Sequence, residues 1–201
     1  MRRINQFERT DRDITEALLK VMERKSLEKI SVQDILDEAM VNRSTFYQHF
    51  QDKYAVLERM QEKYVSGMTE RINKIAQSGE WNLEKVRTSL CDYLSQNRSQ
   101  MKRILSVRSE NLNLQERMKQ LFVSYLRMAQ TSLNELEMDI LAGMTVSFFI
   151  HFITNDMEET ELADLMMKAW LDMSAFFFRV EDVPDAKSRF LTLISELHHA
   201  K

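Results

Sequence analysis

Residues 30–57 read ISVQDILDEAMVNRSTFYQHFQDKYAVL, and local signals alone divide them into two short helices and the start of a third. Ser31 followed by Asp34 has the spacing of a capping box, in which each residue's side chain takes up the other's backbone N–H. Val32, Ile35, Leu36 and Ala39 then keep one apolar face, which predicts an amphipathic helix over about 32–39. Beyond Met40 and Val41, Asn42 is a suitable N-cap for a second short helix in which Phe46 and Phe50 lie one turn apart on the inner face. Ser44, Thr45, Gln48 and His49 are expected to point outward. Asp52 caps the next helix, which carries Tyr54, Leu57, Met60 and Tyr64 and is expected to run on toward Ile72 or Ile75.

Upstream, Thr10 and Asp13 suggest another capping box, with Ile14, Ala17, Leu18, Val21 and Met22 at helical spacing, so a first helix is expected over about 11–25. Downstream, periodicity places helices near 82–97, 99–107, 111–132, 136–155 and 160–180, and a last one near 186–198 after Pro184. Three glycines and one proline in 201 residues leave too few turn formers for a many-stranded sheet. The fold class expected is all-α. No linker separates independent domains, so the division placed at 1–53 and 54–201 is joined by a helix.

The helix around Ile140–Ile153 is apolar almost all round, whereas Leu162, Leu165, Met166, Ala169, Trp170, Met173, Phe176 and Phe177 hold one wide stripe. An all-round apolar helix in a chain of this size fits packing against its own domain on one side and a second subunit on the other. A central core helix of a monomer would read the same way. Gly143 and Ser147, four apart, would admit another backbone closely.

Charge argues against indiscriminate binding to a polyanion. The net charge is −3; residues 1–65 carry 12 Lys and Arg against 12 Asp and Glu, leaving 16 against 19 for the remainder. Since phosphate neutralisation supplies much of the affinity for nucleic acid, a few well-placed cations would have to serve. The lone cysteine, Cys91, excludes an internal disulfide and any multi-thiolate zinc site. The opening MRRINQFERTDRD has no apolar segment, and the 14 residues of Ile140–Ile153 include Thr145, Ser147 and His151. A cytoplasmic chain without a membrane span is expected.

Two short helices joined by a turn of about three or four residues can brace one helix on a duplex while the other enters the major groove. Arg43 suits the O6 and N7 of guanine, Gln48 the N6 and N7 of adenine, and the Thr45 methyl a thymine methyl. Ser31, Gln33, Tyr47, His49 and Lys53, with the backbone N–H groups at the helix start, suit phosphate oxygens. Polar faces that simply meet water would use the same spacing.

Residue identity adds to spacing, because this stretch resembles the helix-turn-helix of TetR/AcrR-family transcriptional regulators. The likeness rests on Ser31, Ile35, Ala39, Val41, Asn42, Thr45, Phe46, Tyr47, His49, Phe50, Asp52 and Lys53, and with the preceding helix it covers roughly residues 10–65. The wording Asn-Arg-Ser-Thr-Phe-Tyr at 42–47 resembles the branch that includes DhaS-like regulators. Met40 stands where the family usually has a turn glycine, which implies a left-handed backbone at a cost of about 1–2 kcal/mol and a side chain expected to pack beneath the turn. Arg43, Ser44 and Gln48 occupy variable positions of the motif, and the resemblance implies that they touch DNA together with Asn42. It also implies a three-helix DNA-binding domain followed by a helical ligand-binding and dimerisation domain. The assembly implied is a homodimer on a palindromic double-stranded operator, paired through helices near 136–155 and 160–180. An effector held by the middle helices would act through the long helix after Lys53. Repression relieved by a small apolar or amphipathic effector is the mode expected; control by a protein partner is the alternative.

The candidate effector pocket consists of Met101, Met118, Phe122, Tyr125, Met128, Met144 and Phe148, with His151 as a polar contact, although plain core packing explains methionines at helical spacing equally well. His198 and His199 are adjacent and diverge on a helix, so they make no ready metal pair. Cys91 reads as a small hydrophobe. With no Gly-rich phosphate loop, no His-x-x-x-His and no nucleophile with a placed base, neither an enzyme nor a cofactor is expected.

Overall fold

Helices α1 (Arg2–Val21), α2 (Val32–Ala39), α3 (Arg43–His49) and α4 (Lys53–Gln77) open the chain, with a single 3-10 turn at Leu27–Lys29 between the first two. They are followed by α5 (Leu83–Gln96), α6 (Arg98–Leu105), α7 (Leu114–Met128), α8 (Glu135–Thr154) and α9 (Glu159–Phe177). The computed structural model describes residues 2–79, 83–107, 113–128, 133–155 and 157–177, and among these residues there is no β-strand. The helix expected at 186–198, with His198 and His199, lies outside the described residues, as do the side chains of Trp170, Met173, Phe176 and Phe177. The chain divides into two compact units, Met1–Tyr64 with Ser99–Leu114 and Val65–Arg98 with Gln115–Lys201.

In the first unit, the local signals at α2, α3 and α4 work as expected. The Ser31 side chain accepts from the N–H of Asp34 while the Ser31 N–H donates to the Asp34 carboxylate. Asn42 Oδ1 accepts from Thr45 N at 2.7 Å, and Asp52 Oδ1 from Ala55 N at 2.8 Å. Thr10, however, is not a cap. The helix begins upstream at Arg2, and the Thr10 hydroxyl donates to Gln6 O one turn back, the usual recourse of a threonine inside a helix. The inner faces bury Ile14, Leu18, Ile35, Leu36, Phe46, Phe50 and Leu57. Removing each such side chain from water is worth about 1.5–3 kcal/mol, which outweighs the weak propensity of helices as short as α2 and α3.

Met40 ends α2 with φ 54° and ψ 38°, in the left-handed region. Its successor, Val41, donates to Leu36 O at 3.2 Å, the long return bond of a Schellman turn. The Met40 side chain does not pack beneath the turn: the residue is 92% exposed. The left-handed strain therefore has no packing to offset it. Met40→Gly is expected to raise stability by about 1 kcal/mol, the relief of about 1–2 kcal/mol less the larger unfolded-state entropy of glycine. A shift of the urea midpoint upward at unchanged m checks it; a midpoint that falls refutes it.

In the second unit, α8 begins at a second capping box, Asn134 with Glu137, and packs against α5 and α9. Val123, Leu126, Met138, Leu141 and Ala142 form a core cluster, and Phe122 stacks on Phe149 with centroids 5.8 Å apart. Glu159 accepts from both Arg87 (2.7 Å) and Thr88 (2.8 Å), joining the start of α9 to α5. Gly67 is required where it stands, since a Cβ there would meet the Tyr93 hydroxyl oxygen at 2.2 Å. Gly143 is not such a position within the chain; a Cβ there would find only Lys119 Cδ at 3.8 Å. Cys91 is buried, and burial, reinforced by Glu159, pushes its thiol up to about 12, so it packs as an uncharged group.

Among the described residues, α8 buries one side only. Met138, Ala142, Val146, Phe149, Phe152 and Ile153 are buried, while Ile140, Met144 and Phe148 are half-exposed and Leu136, Ser147 and His151 are exposed. Among the described residues α8 is also the one helix long and apolar enough to cross a membrane; its buried half packs within the unit as a core helix does.

Candidate nucleic-acid interface

α3 is anchored from inside by the buried Phe46 and Phe50, and this leaves its opposite side to solvent. Arg43 and Tyr47 share one line of that outer face and Ser44 and Gln48 the next, and all four are exposed. The Arg43 guanidinium lies 6.0 Å from the centre of the Tyr47 ring, within reach of a weak cation–π attraction, and Tyr47 braces edge-on against Phe46. Asn42 is exposed but its side-chain oxygen is used as the cap, and Thr45 is half-buried. Ser31 and Gln33 are exposed at the start of α2, where Ser31 serves the capping box and the Gln33 amide donates to Asp37 at 2.8 Å.

Two carboxylates of this unit, Asp34 and Glu38, are paired with cations close by. Lys25 approaches Asp34 at 2.6 Å, and that hydrogen bond, with two from Ser31, holds the Asp34 carboxyl well below the usual range. The Arg24 hydrogen bond, helped by Lys20, lowers Glu38 likewise. The depressed groups stay charged through neutral pH, each against its own cation, so they present less unpaired negative charge to an approaching phosphate than the even charge count suggests.

His49 and Lys53 differ from the sequence expectation. His49 does not point outward: its side chain is 4% exposed, its Nδ1 lies 2.7 Å from Asp11 Oδ1, and its ring stacks on Phe7 at 3.8 Å. The reason lies in the spacing, since residue 49 stands three after the buried Phe46 and so shares its inner side. Lys53 turns back along the chain, and its ammonium donates to Leu27 O (2.7 Å), Glu28 O (3.1 Å) and Ile30 O (2.7 Å). Asp11, Phe7 and Arg59, whose Nε is 3.5 Å from Asp11 Oδ2, are the residues of this arrangement that the sequence did not single out. Only the inward spacing of His49 could have pointed to a partner for it.

The expected effector-pocket residues fall in different surroundings. Met101 belongs to the first unit, and the other seven to the second. Met118 is fully buried, Phe122 stacks on Phe149, and the Tyr125 hydroxyl donates to Asn73 Oδ1 at 2.8 Å, with burial raising its pKa. Met144 and Phe148 are half-exposed on the open face of α8, Met128 is 74% exposed, and the exposed His151 meets the Asn155 amide at 2.8 Å through Nδ1.

The sequence profile described as bacterial regulatory proteins, tetR family, matches residues 14–60. No curated protein matches the chain. Solved structures that share its fold include the following two. One, titled dihydroxyacetone kinase operon activator DhaS, has a TM-score of 0.55 at 18% identity, covering 80% of this chain and 95% of its own. The other, a gamma-butyrolactone receptor described as ArpA-like, has a TM-score of 0.54 at 16% identity, covering 98% and 99%. The profile match spans α2, α3, their turn and the flanking parts of α1 and α4, the same elements whose caps and buried aromatics hold the outer face of α3 open, and the helix-turn-helix of this all-α chain is that of the TetR family of bacterial regulatory proteins.

Proposed function

We propose that this TetR-type regulator binds a palindromic operator as a homodimer and acts as a repressor released by a small apolar or amphipathic effector. Residues 1–53 carry the DNA contacts and residues 54–201 the effector and dimer functions. The observation that carries the reading is the contrast across α3: inner residues buried, Arg43, Ser44, Tyr47 and Gln48 free on the outside. Arg43 and Gln48 read base edges, Thr45 contributes its methyl, and Tyr47, Ser31, Gln33 and the Asn42 turn set the register on phosphates. The open face of α8, through Ile140, Met144, Ser147 and Phe148, with α9, supports pairing of two copies. Among the candidate effector contacts of the second unit, Met118 is fully buried, Phe122 stacks on Phe149 and the Tyr125 hydroxyl is hydrogen-bonded to Asn73. Exposed apolar Met128 and Leu136 favour a second reading, control by a protein partner.

Selection of bound fragments from random duplexes tests the first reading. An inverted repeat with half-sites a whole number of helical turns apart is expected; failure to enrich any sequence, or enrichment of one isolated half-site, overturns it. Repeating the selection with Arg43→Ala is expected to relax one base position per half-site, at a cost of about 1–3 kcal/mol in affinity for the selected site. Equal losses on selected and random DNA would instead assign Arg43 to phosphate.

A further inference from the structure

The C-terminal end of α3 is tied to α1 by a contact for which a DNA interface has no direct use. His49, the last residue of α3, and Asp11, on α1, are 38 positions apart in sequence and 2.7 Å apart in space. Phe7 covers one side of the imidazole, and Arg59 on α4 reaches the second oxygen of its Asp11 partner, so α1 meets the ring directly and α4 meets the carboxylate that holds it.

We propose that His49 is a positioning residue for DNA binding, fixing the tilt of α3 through Nδ1 and Asp11, and makes no phosphate contact. This rests on the reading of α3 as the recognition helix. The contact with Asp11 is made when Nδ1 carries the proton and the carboxylate accepts it. With 4% of its side chain exposed, the ring lacks the surface to meet a phosphate oxygen. Loss of the tie leaves the last turn of a seven-residue helix held by the buried Phe46 and Phe50 without its polar anchor, and a change of tilt there moves Arg43, Tyr47 and Gln48 together.

Asparagine and glutamine separate the two roles, because the Asn amide nitrogen overlies Nδ1 of histidine and the Gln amide nitrogen overlies Nε2. With the operator obtained by selection, His49→Gln and His49→Ala are each expected to weaken binding about tenfold, the scale of one charge-assisted hydrogen bond. His49→Asn is expected to restore most of that. All three should leave the slope of log K against log salt as it is in the unsubstituted protein. Asp11→Ala should match His49→Ala, and the double variant should be no weaker than either single one.

Rescue by Gln in place of Asn, or a slope reduced by about 0.9, the value of one lost phosphate contact, overturns the proposal. Additive losses at Asp11 and His49 overturn it as well. If the unsubstituted protein selects no operator, the reading beneath it fails first and this inference falls with it. Should the Ala variants not fold, the Asn and Gln variants still decide, since both keep an amide in the same space.

Discussion

Lys53→Met is expected to destabilise the amino-terminal unit by about 2 kcal/mol and to leave the salt dependence of DNA binding unchanged. An ammonium has three protons to donate and no acceptor function, and here the three go to Leu27 O, Glu28 O and Ile30 O. These carbonyls belong to the 3-10 turn and the residue that ends it, and the chain enters α2 through them. Lys53 thus latches the start of α4 to the start of α2, the two elements that flank α3. Hydrogen bonds involving a charged group contribute about 1.5–3 kcal/mol each. The net is smaller because an ordered lysine loses rotamer entropy of about 1.5–2 kcal/mol and water can replace the ammonium at Glu28 O, which is exposed. Methionine keeps an unbranched stem along the same path, so the substitution removes charge and donors with little change in packing. The urea midpoint measures the loss. A midpoint that does not move, together with a salt slope lower by about 0.9, would place the ammonium on a phosphate and refute the latch. The latch has a consequence for recognition too. Ser31 and Gln33, at the start of α2, keep their place relative to α3 only while the turn before them is held.

What was legible in the sequence was local. Ser31 with Asp34, Asn42 with Thr45 and Asp52 with Ala55 each close a bond across three residues, so residue type and spacing suffice to place the ends of α2, α3 and α4. The same arithmetic failed at Thr10, because a capping pattern does not say whether the chain before it is already helical. The left-handed backbone of Met40 followed from its place in the turn, whereas its side chain turns to solvent and not beneath the turn. His49 with Asp11 and Lys53 with residues 27–30 are separated by more than 20 positions, and no periodicity connects them. For α8, an apolar surface on every side identified a helix that must be covered, yet which half its own unit covers was decided by α5 and α9. Exposure was therefore readable where the helix's own spacing turns a residue to solvent, as with Ser44 and Gln48. The identity of a distant partner, Asp11 for His49 or residues 27–30 for Lys53, was not readable.

Gln61→Leu is expected to stabilise the protein by about 1–3 kcal/mol. Gln61 lies on α4 one turn beyond Leu57 and next to Met60, on the stripe that continues through Tyr64 and Met68, and it is 0% exposed. Neither its Oε1 nor its Nε2 has a hydrogen-bond partner among the described residues. Folding therefore takes a donor and an acceptor out of water without replacing their bonds, at a cost of about 1–3 kcal/mol per group. Leucine has similar bulk and no polar atoms, so it removes the penalty and adds apolar burial on the same stripe. The branching of leucine requires some repacking, which is why the gain is set below the summed cost of two unpaired groups. For a chain of this size each kcal/mol corresponds to about 2–4 °C in Tm, so an increase of several degrees is the expected reading, with Gln61→Met rising in parallel because its straight side chain follows the path of glutamine. A fall in Tm for both variants would show that the carboxamide is hydrogen-bonded in solution and contributes to the folded state. A rise for Met alone would locate the obstacle in the shape of leucine and leave the unpaired amide as the source of the penalty.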